Sequence, residues 1–164
     1  MQRRTTKRAF TLLELVLVMV LIAVGLAVAA PSLQGWNRGT KLRNQADQLV
    51  SVTRWARTHA IADSTVYRLN IDPSGSAYSL TKQSGQEFVA VESSEWGRSF
   101  QLEDATLQLT DASGAVTTTV DFHPDGRTDQ ATLQLKSSRG DTLQIKCDSP
   151  AEGFVLAANS GGAS

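Results

Sequence analysis

The chain has 164 residues, of which 16 are Lys or Arg and 16 are Asp or Glu, so its formal net charge is zero. This length allows one domain with or without an anchoring segment, and the single cysteine excludes an intrachain disulfide framework and a cysteine-rich zinc site. The charge is unevenly distributed, because residues 1–9 carry +4, residues 38–68 carry +4 and residues 69–164 carry −7. We therefore predict a basic leader over 1–9 and, further along, an acidic body.

The second segment, residues 10–33, is almost entirely apolar. Its one charged residue is Glu14, and residues 15–30 form sixteen consecutive apolar positions. As a helix with a rise of ~1.5 Å per residue the segment reaches about 36 Å, enough to cross a hydrocarbon core of ~30 Å. The basic leader favours a cytoplasmic N-terminus. We predict a single-pass membrane helix, with the rest of the chain on the side of the membrane opposite to the cytoplasm.

Two interpretations of this segment compete. A secretory signal peptide would have a basic region, an apolar region and a small-residue site, which Ala27-Val28-Ala29 supplies, and cleavage after Ala29 would release a soluble exported protein. The alternative retains the apolar helix and removes only the leader. Glu14 favours retention, because a carboxylate costs roughly 2.5–3.5 kcal/mol at the centre of a bilayer and less near its edge. A discarded signal peptide has no use for such a residue.

The run Lys7-Arg8-Ala9-Phe10-Thr11-Leu12-Leu13-Glu14-Leu15 resembles the prepilin cleavage and methylation motif of type IV pilins and type II secretion pseudopilins. The resemblance implies that a prepilin peptidase/methyltransferase cleaves between Ala9 and Phe10 and then methylates the new amino terminus of Phe10. It also implies that Glu14 pairs with the N-terminal amine of a neighbouring subunit during assembly. Ala9 departs from the family, which usually has glycine there.

Residues 34–63 are predicted to continue as an amphipathic helix. Pro31 and the glycines that follow it predict a kink or a locally melted stretch over 31–40, since proline removes a helical hydrogen bond and each glycine costs about 1 kcal/mol. An apolar stripe then recurs at spacings of three and four, formed by Leu42, Ala46, Leu49, Val52 or Thr53, Ala56 and Ala60. The basic residues of this segment indicate a solvated face rather than a nucleic-acid patch, because they are sparse and no aromatic pattern accompanies them.

From residue 64 onward the pattern has a period of two, which indicates short antiparallel strands. We predict them at 65–71, 77–82, 86–92, 106–110, 115–122, 131–136, 141–147 and 153–157. The segment 93–105 has no clean period, and we predict a loop held to the core by Trp96 and Phe100. A long helix followed by such strands predicts an α+β fold, in which residues 64–164 form an antiparallel β domain packed on the helix.

Three segments of the body resemble the GspH/FimT group of pilin-like proteins. They are 56–61, with Ala-Arg-x-x-Ala-Ile, 120–127, with Phe-x-Pro-x-Gly, and 153–156, a closing strand. The resemblance implies a minor pseudopilin of type II secretion, a structural subunit that joins other pseudopilins in a hetero-oligomeric filament. It also implies that the chain is anchored in the bacterial inner membrane with its β domain in the periplasm. The alternative is a FimT-like minor pilin involved in DNA uptake. The charge of −7 argues against a nucleic-acid partner, because phosphate contacts dominate such binding.

The sequence shows no catalytic constellation, so we predict that the protein is not an enzyme and needs no cofactor. His59 and His123 are isolated and are predicted to be structural. Three carboxylates, Asp121, Asp125 and Asp129, lack the spacing of a calcium loop, so no metal site is predicted. Cys147 falls in a predicted strand, where we expect a small buried side chain, with an intermolecular disulfide in an oxidising periplasm as the alternative.

Overall fold

The structure is a computed structural model that describes residues 12–91 and 95–157, without the side chains of residues 26–39. The chain divides into two compact units, residues 1–40 and residues 41–164. One long helix is followed by ten strands and a short 3-10 turn, in this order: α1 Leu12–Ala62, β1 Tyr67–Ile71, β2 Ala77–Ser84, β3 Glu87–Ala90, the turn Glu95–Gly97, β4 Phe100–Gln101, β5 Ala105–Asp111, β6 Val116–Thr117, β7 Thr119–Phe122, β8 Ala131–Ser137, β9 Thr142–Cys147 and β10 Val155–Leu156. The predicted α+β class is confirmed.

The helix α1 is assigned without a break from Leu12 to Ala62, so the melting expected over 31–40 is not seen. Proline removes one hydrogen bond of a helix without having to end it, and the kink at Pro31 stays a prediction. In the first unit the large apolar side chains between Leu12 and Val24 are exposed. Within residues 12–91 and 95–157, no helix combines the length and the apolarity needed to cross a membrane.

In the second unit, α1 buries the predicted stripe. The stripe residues Leu42, Ala46, Leu49, Val52, Ala56 and Ala60 are all at most 7% exposed. Thr53 is buried beside them, and its hydroxyl donates a hydrogen bond to the Val50 carbonyl at 2.8 Å, so the polar group is satisfied within the helix. The expectation of a helix with one apolar face is confirmed.

The strands form two antiparallel sheets. Sheet 1 has the order β3-β2-β1-β7, with β4 also paired to β2, and sheet 2 has the order β10-β9-β8-β5-β6. The predicted strand 115–122 is divided at Thr118, whose carbonyl accepts a hydrogen bond from the Ile71 amide at 2.8 Å. Because β6 and β7 lie on either side of this residue, one continuous run of sequence contributes to both sheets.

The inward side chains of both sheets share one core with the buried stripe of α1. Among the largest fully buried side chains are Tyr67, Tyr78, Phe122, Leu133 and Ile145. The phenol of Tyr67 donates a hydrogen bond to Asp63 Oδ2 at 2.5 Å. Burial, together with this carboxylate, raises the pKa of Tyr67 to about 12.

The segment expected to be a loop at 93–105 contains the 3-10 turn and the two-residue strand β4. Phe100 is buried and its ring stacks on Tyr78 with centroids 5.1 Å apart. Trp96 packs at the edge of the core, 6.2 Å from the ring of Trp55. The predicted tethering by Trp96 and Phe100 is confirmed. The sequence did not predict β4, because a strand of two residues is too short to show a period.

Arg57 connects α1 to two turns of the β domain. Its Nε donates a hydrogen bond to the Gly126 carbonyl at 2.8 Å, and its Nη2 donates one to the Ala151 carbonyl at 2.6 Å. Hydrogen bonds from a charged donor are stronger than neutral ones. Arg57 is one of the basic residues of 34–63 for which the sequence predicted a solvated face, so this role was missed.

We predict that Arg57→Met lowers the free energy of unfolding by about 2 kcal/mol, because two charge-assisted hydrogen bonds are lost. Arg57→Lys should lose part of that, since an ammonium group cannot reach both carbonyls in the same way. The measurement is urea unfolding of the full chain in mild detergent, with tryptophan fluorescence as the signal that monitors the transition. The control is Arg54→Met, an exposed position of the same helix, with an expected change within about 0.5 kcal/mol. Equal effects at the two positions would contradict the assignment.

Cys147 ends β9 and is 2% exposed, as the sequence predicted. Its Sγ lies 3.3 Å from the Ser149 carbonyl, and burial raises the pKa of the thiol. Only the thiolate reacts with disulfides and maleimides. We predict that the native chain reacts with a maleimide at least about tenfold more slowly than the chain in urea. Equal rates, or a disulfide-linked dimer under mild oxidation, would contradict this.

Candidate functional site

The predicted processing site consists of Ala9 and Phe10. Both residues lie outside the residues that the structure describes, so cleavage between them and methylation of Phe10 stay predictions. Pro31 lies within α1, but its side chain is outside the description.

Glu14 lies in the first turn of α1 and is exposed. Its sequence neighbours Leu13 and Leu15 are exposed as well, at 77% and 56%. A carboxylate near the start of a helix is favoured by the helix dipole. Surrounded by aliphatic surface, it can form a strong ion pair with a cation that enters the same apolar environment, because both charges are costly there when alone.

The three segments that resemble the GspH/FimT group come together in space. Arg57 of the first segment binds the Gly126 carbonyl of the second, and the Phe122 and Phe154 rings of the second and third lie 6.3 Å apart. Gly126 has φ of +82°, and a Cβ there would lie 3.3 Å from the Ile61 side chain. Both facts favour glycine at this position. The convergence is structural, since it fastens α1 to two turns.

The three aspartates considered as calcium ligands are held by protein partners. Asp121 accepts two hydrogen bonds from Arg68, at 2.6 and 2.7 Å, and this interaction raises the pKa of the guanidinium. Asp129 lies 3.0 Å from His123 Nε2, and Asp125 accepts a hydrogen bond from the Arg127 amide at 3.0 Å. Over residues 12–91 and 95–157, no three of the His, Cys, Asp and Glu side chains form a group suited to a metal ion.

His59 has a structural environment in the last turn of α1. Its ring stacks on Trp55 with centroids 3.7 Å apart, and its Nδ1 lies 3.0 Å from the Trp55 carbonyl oxygen. Tyr67 lies against the same pair, with its ring 5.8 Å from that of Trp55. The prediction of a structural histidine agrees with these contacts.

Three known proteins are among the most similar to this chain in sequence or in structure. The chain is 40% identical in sequence to the type II secretion system protein H of Xanthomonas campestris pv. campestris over an alignment of 70 residues. That alignment covers 43% of this chain and 41% of the relative. The chain therefore spans less than half of that curated relative. In structure, the minor pseudopilin EpsH from the type 2 secretion system of Vibrio cholerae matches 75% of this chain and 99% of its own, with a TM-score of 0.65 at 10% identity.

The type IV minor pilin FimU of Pseudomonas aeruginosa also matches, over 75% of this chain and 92% of its own, with a TM-score of 0.57 at 14% identity. At these identities, the likeness to both solved structures shows the fold.

Two family models match the chain. The prokaryotic N-terminal methylation motif matches residues 4–30, and the type II transport protein GspH matches residues 45–151. The second match covers more than half of the 164 residues and includes two of the three segments described above, 56–61 and 120–127, while 153–156 follows its end. The chain belongs to the type II transport protein GspH family.

Proposed function

We propose that this protein is a minor pseudopilin of a type II secretion system, a structural subunit without catalytic activity that joins other pseudopilins in a periplasmic filament. The observation that carries the proposal is the presence on one chain of the N-terminal methylation motif at residues 4–30 and the GspH domain at 45–151. The EpsH-like fold of the body supports it.

The proposed route begins in the inner membrane. Residues 10–33 hold the precursor there as a single-pass helix, with its N-terminus cytoplasmic and its β domain periplasmic. Sixteen consecutive apolar residues and a leader of charge +4 support this topology. A prepilin peptidase/methyltransferase then cleaves between Ala9 and Phe10 and methylates the new amino terminus.

Assembly follows from the energetics of Glu14. In an apolar environment its carboxylate and the free amine of a neighbouring Phe10 are each unfavourable alone and favourable as a pair. The exposed aliphatic side chains between Leu12 and Val24 supply that environment when subunits pack together. Pairing of Glu14 with the neighbour's amine would set the axial register between subunits.

A FimT-like role in DNA uptake has weaker support. Nucleic-acid affinity depends on clustered Lys and Arg, whereas residues 69–164 carry a net charge of −7. The likeness to FimU concerns the fold. A gel shift with the full chain at physiological salt would favour this alternative if it detected salt-dependent binding of DNA.

We predict that the mature chain purified from membranes begins at N-methylated Phe10, and intact-mass analysis measures this directly. Ala9→Gly should be processed at least as completely, because glycine is the family's usual residue there. Ala9→Leu should accumulate as precursor, since a bulky side chain replaces a small one at the cleavage site. A mature N-terminus at Ala30 in the unmodified chain would instead establish a secretory signal peptide.

We also predict that Glu14→Gln leaves processing intact but reduces incorporation into filaments at least about tenfold. Removing one partner of a desolvated ion pair costs about 3–5 kcal/mol, because the other charge is left without a partner. The measurement is the fraction of chain in sheared filaments together with the amount of secreted cargo. Glu103→Gln, an exposed carboxylate of the β domain, serves as the control. Normal incorporation of the Glu14 variant would contradict the proposed contact.

A further inference from the structure

A short sequence motif occurs three times in sheet 2. Residues 106–110 read Thr-Leu-Gln-Leu-Thr, residues 132–136 read Thr-Leu-Gln-Leu-Lys, and residues 142–146 read Thr-Leu-Gln-Ile-Lys. The three copies lie in β5, β8 and β9, which are neighbours in the sheet. Because side chains alternate along a strand, the aliphatic residues face the core and the Thr, Gln and Lys residues face outward.

The register aligns the repeats into rows. Gln134 lies opposite Gln108 on one side and opposite Gln144 on the other, so three glutamines form a row across the sheet. Adjacent strands are about 4.8 Å apart, which makes this a regular ladder of carboxamides. The rows on either side of it consist of Thr106, Lys136 and Thr142, and of Val116, Thr110, Thr132, Lys146 and Val155. We call these three rows the glutamine face.

The polar groups of the glutamine face are largely available to a partner. Over the described part of the chain, the three carboxamides form no hydrogen bond with other protein groups, and the two ammonium groups form no ion pair. Each carboxamide offers two N–H donors and a carbonyl acceptor. Two hydroxyls are engaged, since Thr110 Oγ1 donates a hydrogen bond to the Thr132 carbonyl at 3.3 Å and Thr142 Oγ1 donates one to the Gly140 carbonyl at 3.2 Å.

The charge on this face is opposite to that of the surrounding domain. Its rows contain Lys136 and Lys146 and no Asp or Glu, although residues 69–164 carry −7. The two Cα atoms are about 14 Å apart, one strand and four residues from each other. Four exposed carboxylates flank the strand ends, at Asp104, Asp111, Asp141 and Asp148, and they outnumber the one exposed cation there, Arg139 in the turn between β8 and β9. The face is therefore cationic in its rows and anionic at its border.

We propose that the glutamine face binds an acidic patch on a different protein, with carboxylates over Lys136 and Lys146 and hydrogen-bonding groups over the glutamine row. Complementary charge at such contacts selects the partner and sets its register. The proposal goes beyond the pseudopilin role and does not depend on α1 or Glu14, since its contacts lie entirely on sheet 2.

Two other occupants fit the face less well. A second copy placed face to face would bring lysines onto rows that contain no carboxylate, so a two-fold contact would bury like charges. A polyanion such as DNA or an acidic polysaccharide would be attracted by the two lysines but repelled by the four carboxylates at the border. A protein can instead present carboxylates at the centre and basic groups at the rim.

The test is site-specific photocrosslinking of the full chain in secreting cells. A benzophenone amino acid replaces Gln134 or, in a second variant, the exposed Gln108, and it replaces Asn70 in β1 of sheet 1 as the positional control. We expect a protein adduct at both glutamine positions and not at Asn70, with an acidic cross-linked peptide identified by mass spectrometry. Thermal unfolding establishes that each variant is folded.

Charge reversal then tests the mechanism. Lys136→Glu combined with Lys146→Glu should reduce adduct yield about tenfold, because two attractive contacts become repulsive. Arg54→Glu combined with Arg127→Glu changes the net charge equally at exposed positions outside sheet 2 and should leave the yield within about twofold. Replacing the carboxylates of the identified peptide by lysine should restore the adduct of the Lys136/Lys146 double variant.

Several results would overturn the proposal. The first is the absence of any adduct at both glutamine positions, or an adduct formed only with a second copy of the chain or only with nucleic acid, polysaccharide or lipid. The second is an equal loss of adduct in the two double variants. The third is failure of the reciprocal charge change to restore cross-linking. Loss of filament incorporation with the adduct retained would affect the proposed function and leave the glutamine face supported.

Discussion

The burial of one stripe of α1 is the constraint on which the second unit depends. Ala46, Ala56 and Ala60 are all fully buried, and because alanine ends at Cβ, the strands can approach the helix closely there. Leu49 and Val52 fill the remaining volume between them. Both sheets contribute to the same core cluster as this stripe, so neither sheet has a core of its own. Turn contacts then hold the helix, with Gln45 bonded to the Glu103 carbonyl at 3.0 Å and Arg57 bonded to two further turns.

This arrangement separates the parts of the chain that stabilise the domain from those available for assembly. The inward positions of the strands are occupied by the core, and the carboxylates of Asp121 and Asp129 are engaged by neighbouring side chains. Contacts with other proteins must therefore use outward positions or the exposed aliphatic segment of α1.

The sequence predicted much of this because its signals are periodic. A spacing of three and four identified every apolar residue of the buried stripe, and a spacing of two located most strands. The errors have a common physical origin. In the run 115–122, Val116, Val120 and Phe122 recur at even positions, and the threonine at 118 is a residue type that is common within strands, so nothing local indicated that the run divides there between two sheets. Strand β4 has only two residues and shows no period. Arg57 was assigned to a solvated face, because its carbonyl partners lie far along the chain.

Local chemistry along the chain was enough to predict a basic leader, and to identify the apolar segment, the N-terminal methylation motif, the buried stripe of the helix and the α+β class. The tertiary structure decided the relations between distant residues. Arg57 meets Gly126 and Ala151 across separations of 69 and 94 residues. The three Thr-Leu-Gln repeats are readable in the sequence, but only strand order and register bring Gln108, Gln134 and Gln144 into one row. Periodicity is a property of adjacent residues, whereas register is set by how strands pair over a shared core.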